Sequence, residues 1–273
     1  MKKLLIPTDF SDNAYNAALY GLALFWKEEC EVILLNTYNI PYTGHDVLVS
    51  RNNAIGLDSK KAFKELIDKI NNQFVGNKFH FKSEFIHGEL PAVVDDFVTE
   101  NEIDQVIMGT QGASGLKKVL IGSNTASVMS NVLCDLLVVP ENSVFNVPKR
   151  IVLAVDDYLD LNQGKVSSLV SLSEHFDIEI LLFHVTDVTD NKIPADLDII
   201  YKCFSGVKHS VHSINSENVA SAVEEFAKVE SADMVAVLHD QKNFFEKLFH
   251  KSVTKEMLYH AALPILVLHS EIS

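Results

Sequence analysis

The chain has 273 residues, 47% of them hydrophobic, and its 23 lysines and arginines against 37 aspartates and glutamates give a formal net charge of −14. A chain of this length can bury a sizeable core in one or two domains. The negative charge repels phosphate backbones, so we predict no nucleic-acid partner, although backbone amides can still bind a small anion.

Short apolar runs alternate with longer segments of helical periodicity through the first half of the chain. Within 58–74, for example, Phe63, Leu66 and Ile70 share one face of a helix. Strands that alternate with helices in this way predict a parallel sheet with helices on both faces. The predicted strands are 3–9, 31–38, 79–86, 103–109 and 135–140, and the predicted helices are 11–27, 58–74, 90–101 and 124–133.

The second half repeats this order. Residues 150–157 resemble 3–10, and residues 178–185 match 31–38. Residues 232–269 align without a gap on residues 103–140, at a constant offset of 129, which indicates an internal duplication. We predict an α/β chain of two tandem domains, 1–142 and 149–273, with a linker at 141–149. Each domain would be doubly wound, with a five-stranded, mostly parallel sheet.

Four of the chain's 11 glycines lie in residues 108–124, MGTQGASGLKKVLIGSN, between a predicted strand and a predicted helix. Gly109 ends the strand at the sheet edge where doubly wound folds bind ligands, and glycine lets a ligand approach the backbone. Gly122 and Ser123 open the helix, whose first amides are unpaired. This pattern predicts a polyphosphate site. A structural alternative remains open, in which the glycines serve only the backbone and Ser123 or Asn124 is the helix N-cap.

The spacing G-x2-G-x9-G-S, from Gly109 to Ser123, resembles the G-x2-G-x9-G-[ST] ATP-binding motif of the universal stress protein family. Residues 6–14, IPTDFSDNA, resemble that family's first strand and turn. Residues 133–140, LCDLLVVP, resemble its closing strand, where Asp135 replaces the usual proline. The resemblance implies a Rossmann-like fold of the adenine nucleotide alpha hydrolase type in both halves, with ATP or AMP bound by the first half.

Carried over position by position, the resemblance implies a role for each matched residue. Asp9 would accept hydrogen bonds from the nucleoside, and the backbone from Tyr38 to Ile40 would border the base. Met108 and Gly109 would contact the ribose side, while the end of the glycine loop would hold the phosphates. The implied binding residues are Pro7, Thr8, Asp9, Tyr38, Met108, Gly109, Gly112, Gly122, Ser123 and Asn124.

Two of these residues, and two lysines of the glycine loop, have structural alternatives. Asp9 can be an N-terminal cap on the first helix, in competition with Ser11. Met108 can belong to the ordinary core. Lys117 and Lys118, inside the glycine loop, can reach a phosphate or remain solvated.

The second half departs from the glycine motif. Leu238 aligns with Gly109, Gln241 with Gly112 and Lys251 with Gly122, while Ser252 alone is retained. Side chains at these positions should block the close backbone approach that a phosphate needs. We therefore predict that the second half binds no nucleotide by this route.

Other chemistry has little support in the sequence. Cys30, Cys134 and Cys203 are far apart and predict reduced, buried thiols. His239, His250, His260 and His269 cluster in the last 40 residues without a metal-binding spacing, and His184 is expected in the core or at a sheet edge. Leu22, Phe25 and Trp26 are expected in the core. The N-terminal apolar run is too short for a signal peptide and no run approaches the ~20 residues of a membrane span, so we expect a cytoplasmic protein with no membrane partner.

These observations leave three hypotheses. The first is a stress-response or regulatory protein in which bound ATP or AMP controls conformation or assembly. The resemblance then implies pairing through the fifth strands, here 136–140 and 265–269, within one chain as a pseudo-dimer or between chains as a homodimer. The second is a slow ATPase or phosphotransfer enzyme, which would need a metal such as Mg²⁺ and a general base that the sequence does not display. The third is an interaction module that binds no nucleotide.

Overall fold

The computed structural model describes residues 1–39, 48–110, 122–155, 161–186, 197–216, 218–239 and 263–269, with the backbone alone at 48–57, 186 and 197. Strands and helices alternate along these ranges. The strands are β1 (Lys2–Pro7), β2 (Glu29–Tyr38), β3 (Lys78–His87), β4 (Gln105–Gly109), β5 (Asp135–Val139), β6 (Arg150–Val155), β7 (Glu179–Thr186), β8 (His209–Asn215), β9 (Met234–Leu238) and β10 (Ile265–Leu268). The helices are α1 (Asp12–Leu24), α2 (Leu48–Gln73), α3 (Leu90–Asn101), α4 (Ser123–Asn131), α5 (Gln163–Phe176), α6 (Leu197–Phe204) and α7 (Val219–Val229).

These ten strands form one continuous sheet in the order β3-β2-β1-β4-β5-β10-β9-β6-β7-β8. Neighbouring strands are parallel except at the centre, where β5 and β10 run antiparallel with Leu266 opposite Leu137. From this centre outward, both halves have the same strand order. The predicted α/β doubly wound fold is confirmed, with the correction that the two five-stranded units join into a single sheet. The fifth strands pair within the chain.

Helices cover both faces of the sheet because successive residues of each strand point to opposite sides. On β1, Leu4 and Ile6 belong to the core under α1, α2, α5 and α6, while Leu5 belongs to the core under α3, α4 and α7. All three side chains are fully buried. Strands buried on both faces are continuously apolar, which is why the short apolar runs predicted the strands well.

The internal duplication is visible in the hydrogen bonds between the ends of corresponding strands. The Thr110 amide donates to the Val139 carbonyl at 3.1 Å, and the His239 amide donates to the Leu268 carbonyl at 3.0 Å. Both partners of the second bond lie 129 residues after those of the first, as the sequence alignment predicts. The division into domains 1–142 and 149–273 remains a prediction, although residues 141–149 contain neither helix nor strand.

Two sequence predictions about helices are wrong. Helix α2 begins at Leu48, ten residues before the predicted start at Asp58. Helix α1 ends at Leu24, before the predicted end at residue 27, so Trp26 lies beyond the helix and is 41% exposed. The ammonium of Lys27 lies 5.3 Å from the centre of the Trp26 ring. Phe25 and Leu22 are buried as predicted.

The three cysteines are free and buried, which confirms the prediction from their spacing. Burial is the main cause that raises the pKa of Cys30 to about 11 and that of Cys134 to about 12, and burial also raises the pKa of Cys203. Glu28 and Asp135 add to the shifts at Cys30 and Cys134 respectively. The thiolate is the reactive form, so these thiols are chemically quiet near neutral pH.

We therefore expect the native protein to resist a water-soluble thiol reagent at pH 8. With a pKa of about 11, only about one thiol in a thousand is ionised at that pH, before any loss of access is counted. Counting labelled thiols by mass spectrometry should give none after minutes in the folded protein and three after denaturation. Rapid labelling of one native cysteine would show that its surroundings open in solution.

In the part of the chain that the structure describes, no helix combines the length and the apolar character needed to cross a membrane.

Candidate functional site

The strand order places a crevice in the first half, between the carboxyl ends of β1 and β4. The chain moves outward from β1 to β2 and β3, then returns to add β4 on the other side of β1. The connections that follow β1 and β4 therefore leave on opposite sides, which opens a crevice at this point in doubly wound sheets. Asp9 follows β1 and Gly109 ends β4, so the structure brings these two predicted residues to the same edge.

Pro7 and Thr8 form the floor of this edge. Both are buried. The Thr8 amide donates to the Leu35 carbonyl at 2.8 Å, and the Asn36 side chain donates to the Thr8 carbonyl at 2.7 Å. The backbone of Thr8 is thus held in place by β2, and exposure begins at the next residue.

Asp9 is exposed and sits in a turn with strained backbone. Phe10 has a φ of 62°, in the left-handed region that a bulky residue seldom adopts, and its ring packs edge-on against Phe63 at 5.1 Å. The Asp9 carboxylate accepts hydrogen bonds from the Ser11 amide at 3.1 Å and the Ser11 hydroxyl at 2.5 Å. Ser11 is the N-cap of α1 and accepts from the Ala14 amide, so the alternative that Asp9 caps this helix is wrong.

Helix α4 presents its N-terminus to the same edge, and none of the described side chains caps it. Its N-cap is Gly122, and Ser123 and Asn124 are its first two helical residues. The alternative that Ser123 or Asn124 is the N-cap is therefore wrong. Helix geometry leaves the amides of these two residues and of Thr125 without intrahelical acceptors, and they carry the positive end of the helix dipole. Ser123 and Asn124 are also exposed.

The Gly122 amide, unlike those of the next residues, already has a hydrogen-bond partner in the described chain. It donates to the carbonyl of Thr110 at 2.5 Å and closes the base of the glycine loop. The hydroxyl of Thr125 donates to the carbonyl of Gly109 at 2.9 Å. These two bonds fix the start of α4 on the end of β4, and they leave the next amides of the helix to meet a ligand.

Gly109 also has a packing role that the glycine pattern did not reveal. Helix α1 lies so close to β4 that a Cβ on Gly21 would come within 2.6 Å of Ile107, and a Cβ on Gly109 would collide with the side-chain oxygen of Asn13. Asn13 is only 7% exposed, yet neither atom of its amide group has a hydrogen-bond partner in the described chain. The sequence offered one signal for this residue, since Asn13 is a polar side chain on the buried face of an amphipathic helix.

The remaining described site residues, Met108 and Tyr38, lie on either side of this crevice. Met108 is buried in the core beneath α3 and α4, in agreement with the alternative that it is an ordinary core residue. Tyr38 ends β2, where its ring stacks on Phe85 with centres 4.2 Å apart, and its carbonyl accepts from the Gly88 amide at 3.1 Å.

Several predicted positions lie outside the described residues, among them the whole tip of the glycine loop. In the second half, Leu238 is described and buried at the end of β9, in the position that Gly109 has in the first half. The predictions that fall outside the described ranges concern Ile40, Gly112, Lys117, Lys118, Gln241, His250, Lys251, Ser252 and His260.

Three of the histidines considered in the sequence analysis, His184, His239 and His269, lie among the described residues. His184 is buried, with its ring nitrogen Nδ1 3.1 Å from the Val155 carbonyl, and His239 and His269 stack with ring centres 4.1 Å apart. Across the described ranges, no group of three or more histidine, cysteine, aspartate or glutamate side chains is arranged to hold a metal ion.

Comparison with known families agrees with this geometry. The model of the universal stress protein family matches residues 1–140, which include the whole crevice and slightly more than half of the chain. The chain belongs to the universal stress protein family. A universal stress protein of Methanocaldococcus jannaschii, MJ0531, is 28% identical over 144 residues, which cover 50% of this chain and 81% of that protein.

Solved structures extend the likeness to the whole fold. A universal stress protein from Archaeoglobus fulgidus is 19% identical, with a TM-score of 0.72, and the match covers 98% of this chain and 96% of that one. The two proteins therefore share their fold over nearly the whole chain. A universal stress protein solved in complex with cAMP is 17% identical and covers 50% of this chain and 96% of its own, with a TM-score of 0.37. At that score the second likeness says nothing about the ligand of the present chain.

Proposed function

We propose that this universal stress protein binds one adenine nucleotide, ATP or AMP, at the carboxyl edge of β1, β2 and β4, and that the nucleotide controls its conformation or assembly. The site would sit in the predicted first domain, 1–142. The base would lie towards Tyr38, the sugar between Asp9 and Gly109, and the phosphates at the start of α4. The proposed binding residues are Pro7, Thr8, Asp9, Tyr38, Met108, Gly109, Gly112, Gly122, Ser123 and Asn124.

The observation that carries this proposal is the N-terminus of α4 at the switch point of the sheet, where the N-cap is a glycine. The exposed residues Ser123 and Asn124 present amides without intrahelical acceptors, beside the hydroxyl of Ser123. An anion at such an N-terminus gains the helix dipole and several N–H donors, even in a chain whose net charge is −14. A phosphate group interacts favourably with the dipole through its charge and accepts hydrogen bonds from the amides through its oxygens.

The strained turn at Asp9 supports the nucleoside end of the proposal. A left-handed phenylalanine costs of order 1–3 kcal/mol and persists where surrounding contacts fix it, often at functional sites. Here the edge contact of Phe10 with Phe63 holds the turn, and the turn leaves Asp9 exposed at the crevice. Carboxylates accept hydrogen bonds readily from sugar hydroxyls.

The proposed stoichiometry is one nucleotide per chain. In the second half the buried side chain of Leu238 stands where Gly109 allows close approach in the first half. We assign the predicted second domain, 149–273, the role of a partner that binds no nucleotide by this route. The three buried free thiols fit a reducing compartment such as the cytoplasm.

Calorimetric titration of the purified protein with ATP and AMP, with and without Mg²⁺, tests the proposal. We expect one site per chain, and a stabilisation of about 2.7 kcal/mol in urea unfolding when free nucleotide is 100-fold above its Kd. Phosphate release in a single-turnover experiment would instead favour the slow enzyme. If none of the adenine nucleotides binds, the proposed function is wrong, and the result supports the interaction module.

A further inference from the structure

We infer that Asn13 is a ligand-binding residue of this site, and that its amide group contacts a sugar hydroxyl of the nucleotide. This inference rests on the proposed function, and it adds a residue that the glycine motif does not contain. Asn13 lies in the first turn of α1, directly over Gly109.

The starting observation is an energetic anomaly. Asn13 is 93% buried, and both its side-chain nitrogen and its side-chain oxygen lack hydrogen-bond partners among the described residues. A buried amide without partners is costly, and native proteins tolerate such a group where it has a task. Three residues further along α1, Asn16 shows the ordinary situation, since its nitrogen donates to the carbonyls of Pro140, Glu141 and Ser143.

The position of Asn13 places this unpaired amide beside the crevice. Its oxygen rests against Gly109, the last residue of β4, whose carbonyl in turn accepts from Thr125 in the first turn of α4. Gly109 therefore links the N-termini of α1 and α4, and Asn13 lies on the α1 side of this link. On the β1 side, the turn that presents Asp9 leads directly into α1. Asn13 thus lies between the proposed sugar and phosphate regions.

The second half offers an internal comparison. Its helix α5 has Asn162 as N-cap, so Gly164 is its second helical residue, the position that Asn13 occupies in α1. The residue equivalent to Gly109 there is Leu238. In the second half, where the glycine motif is lost, the helix position holds Gly164 and the strand-end position holds Leu238, so no side-chain amide is buried there. In the first half, where the motif is intact, the helix position holds Asn13 and the strand-end position holds Gly109. The buried amide therefore occurs together with the intact motif.

The chemistry of the amide selects the ligand group. Asn13 has both a donor and an acceptor to satisfy, whereas phosphate oxygens only accept. A ribose hydroxyl both donates and accepts, so a single hydroxyl can use either atom and two neighbouring hydroxyls can use both. The adenine edge also donates and accepts, but the proposed site places the base towards Tyr38. Asn13 is therefore assigned to the sugar, and its loss should reduce the preference for ribose over deoxyribose.

The test combines one protein change with one ligand change. The affinities of wild type and Asn13→Ala for ATP, 2′-deoxy-ATP and 3′-deoxy-ATP are measured by calorimetry. We expect wild type to prefer ATP over at least one deoxy analogue by about tenfold, the effect of one lost hydrogen bond, and Asn13→Ala to bind all three with nearly equal, reduced affinity. Thermal unfolding without nucleotide gives a second readout, in which Asn13→Ala should be no less stable than wild type.

Asn16→Ala is the matched control, because it removes an asparagine with satisfied hydrogen bonds from the same helix. It should lower the unfolding temperature and leave the preference for ribose intact. The inference is overturned if Asn13→Ala keeps the wild-type preference, or if wild type binds ATP without any preference for ribose. Wild type that binds no adenine nucleotide at all would instead overturn the proposed function, so the two failures are distinguishable.

Discussion

Gly122→Val is expected to lower the affinity for ATP by at least about 100-fold, which corresponds to roughly 2.7 kcal/mol of binding free energy. The added side chain would stand at the N-cap of α4, where the proposed phosphate meets the helix amides. The change introduces no backbone strain, since Gly122 has φ −63° and ψ 155°, which valine adopts readily. Calorimetric titration with ATP gives the affinity, and circular dichroism checks that the fold is intact.

The control is Gly164→Val, near the N-terminus of α5, the helix of the second half that corresponds to α1. Among the described residues, a Cβ at Gly164 would meet the Asn162 side chain alone, at 3.4 Å, so the change should be tolerated. It should leave ATP affinity unchanged, because no nucleotide is assigned to that half. If Gly122→Val binds ATP with wild-type affinity, the start of α4 is not part of the nucleotide site.

Leu137→Ala is expected to lower the free energy of unfolding of the whole chain by roughly 2–5 kcal/mol, the range for emptying a buried leucine site. Leu137 is fully buried on β5, between Ile107 on β4 and Leu266 on β10. It therefore joins the two halves of the sheet. Urea unfolding followed by circular dichroism measures the effect, and we expect one cooperative transition that shifts as a unit.

Leu133→Ala is the matched control, since Leu133 is 52% exposed just before the same strand. Its effect should stay within about 0.5 kcal/mol. If Leu137→Ala instead separates two transitions and moves only one, the halves unfold independently and the seam between β5 and β10 contributes little.

The sequence predicted the sheet better than it predicted the helices. Strands buried on both faces are nearly continuously apolar. The apolar run at 135–140 therefore predicted β5 (Asp135–Val139) to within one residue. For helix α2, local signals favour a start at Asp58, because Asp58 and Ser59 are residue types that favour an N-cap and Gly56 lies just before them. In the structure all three are inside the helix, a choice that local propensity does not determine.

The candidate site was predictable from the sequence only where local sequence rules determine the position of a residue. Gly122 and Ser123 were placed correctly at the start of a helix, because glycine and serine there follow local rules. The contact of Asn13 with Gly109 was not predictable, since it depends on how closely α1 packs against β4, far along the chain. The hydrogen bond from the Gly122 amide to the Thr110 carbonyl joins the two ends of the glycine loop, and the sequence did not predict it either.

The antiparallel seam at the centre of the sheet has a consequence for how this protein can diverge. In a symmetric homodimer each contact across such a seam must occur twice, with identical residues. Here Asp135 on β5 accepts a hydrogen bond from the backbone of His269 at 2.9 Å, while the residues at the two mirrored places are Pro264 and Pro140, which cannot make that bond. Because both strands belong to one polypeptide, each side of the seam is free to mutate alone, and the pairing persists at any protein concentration.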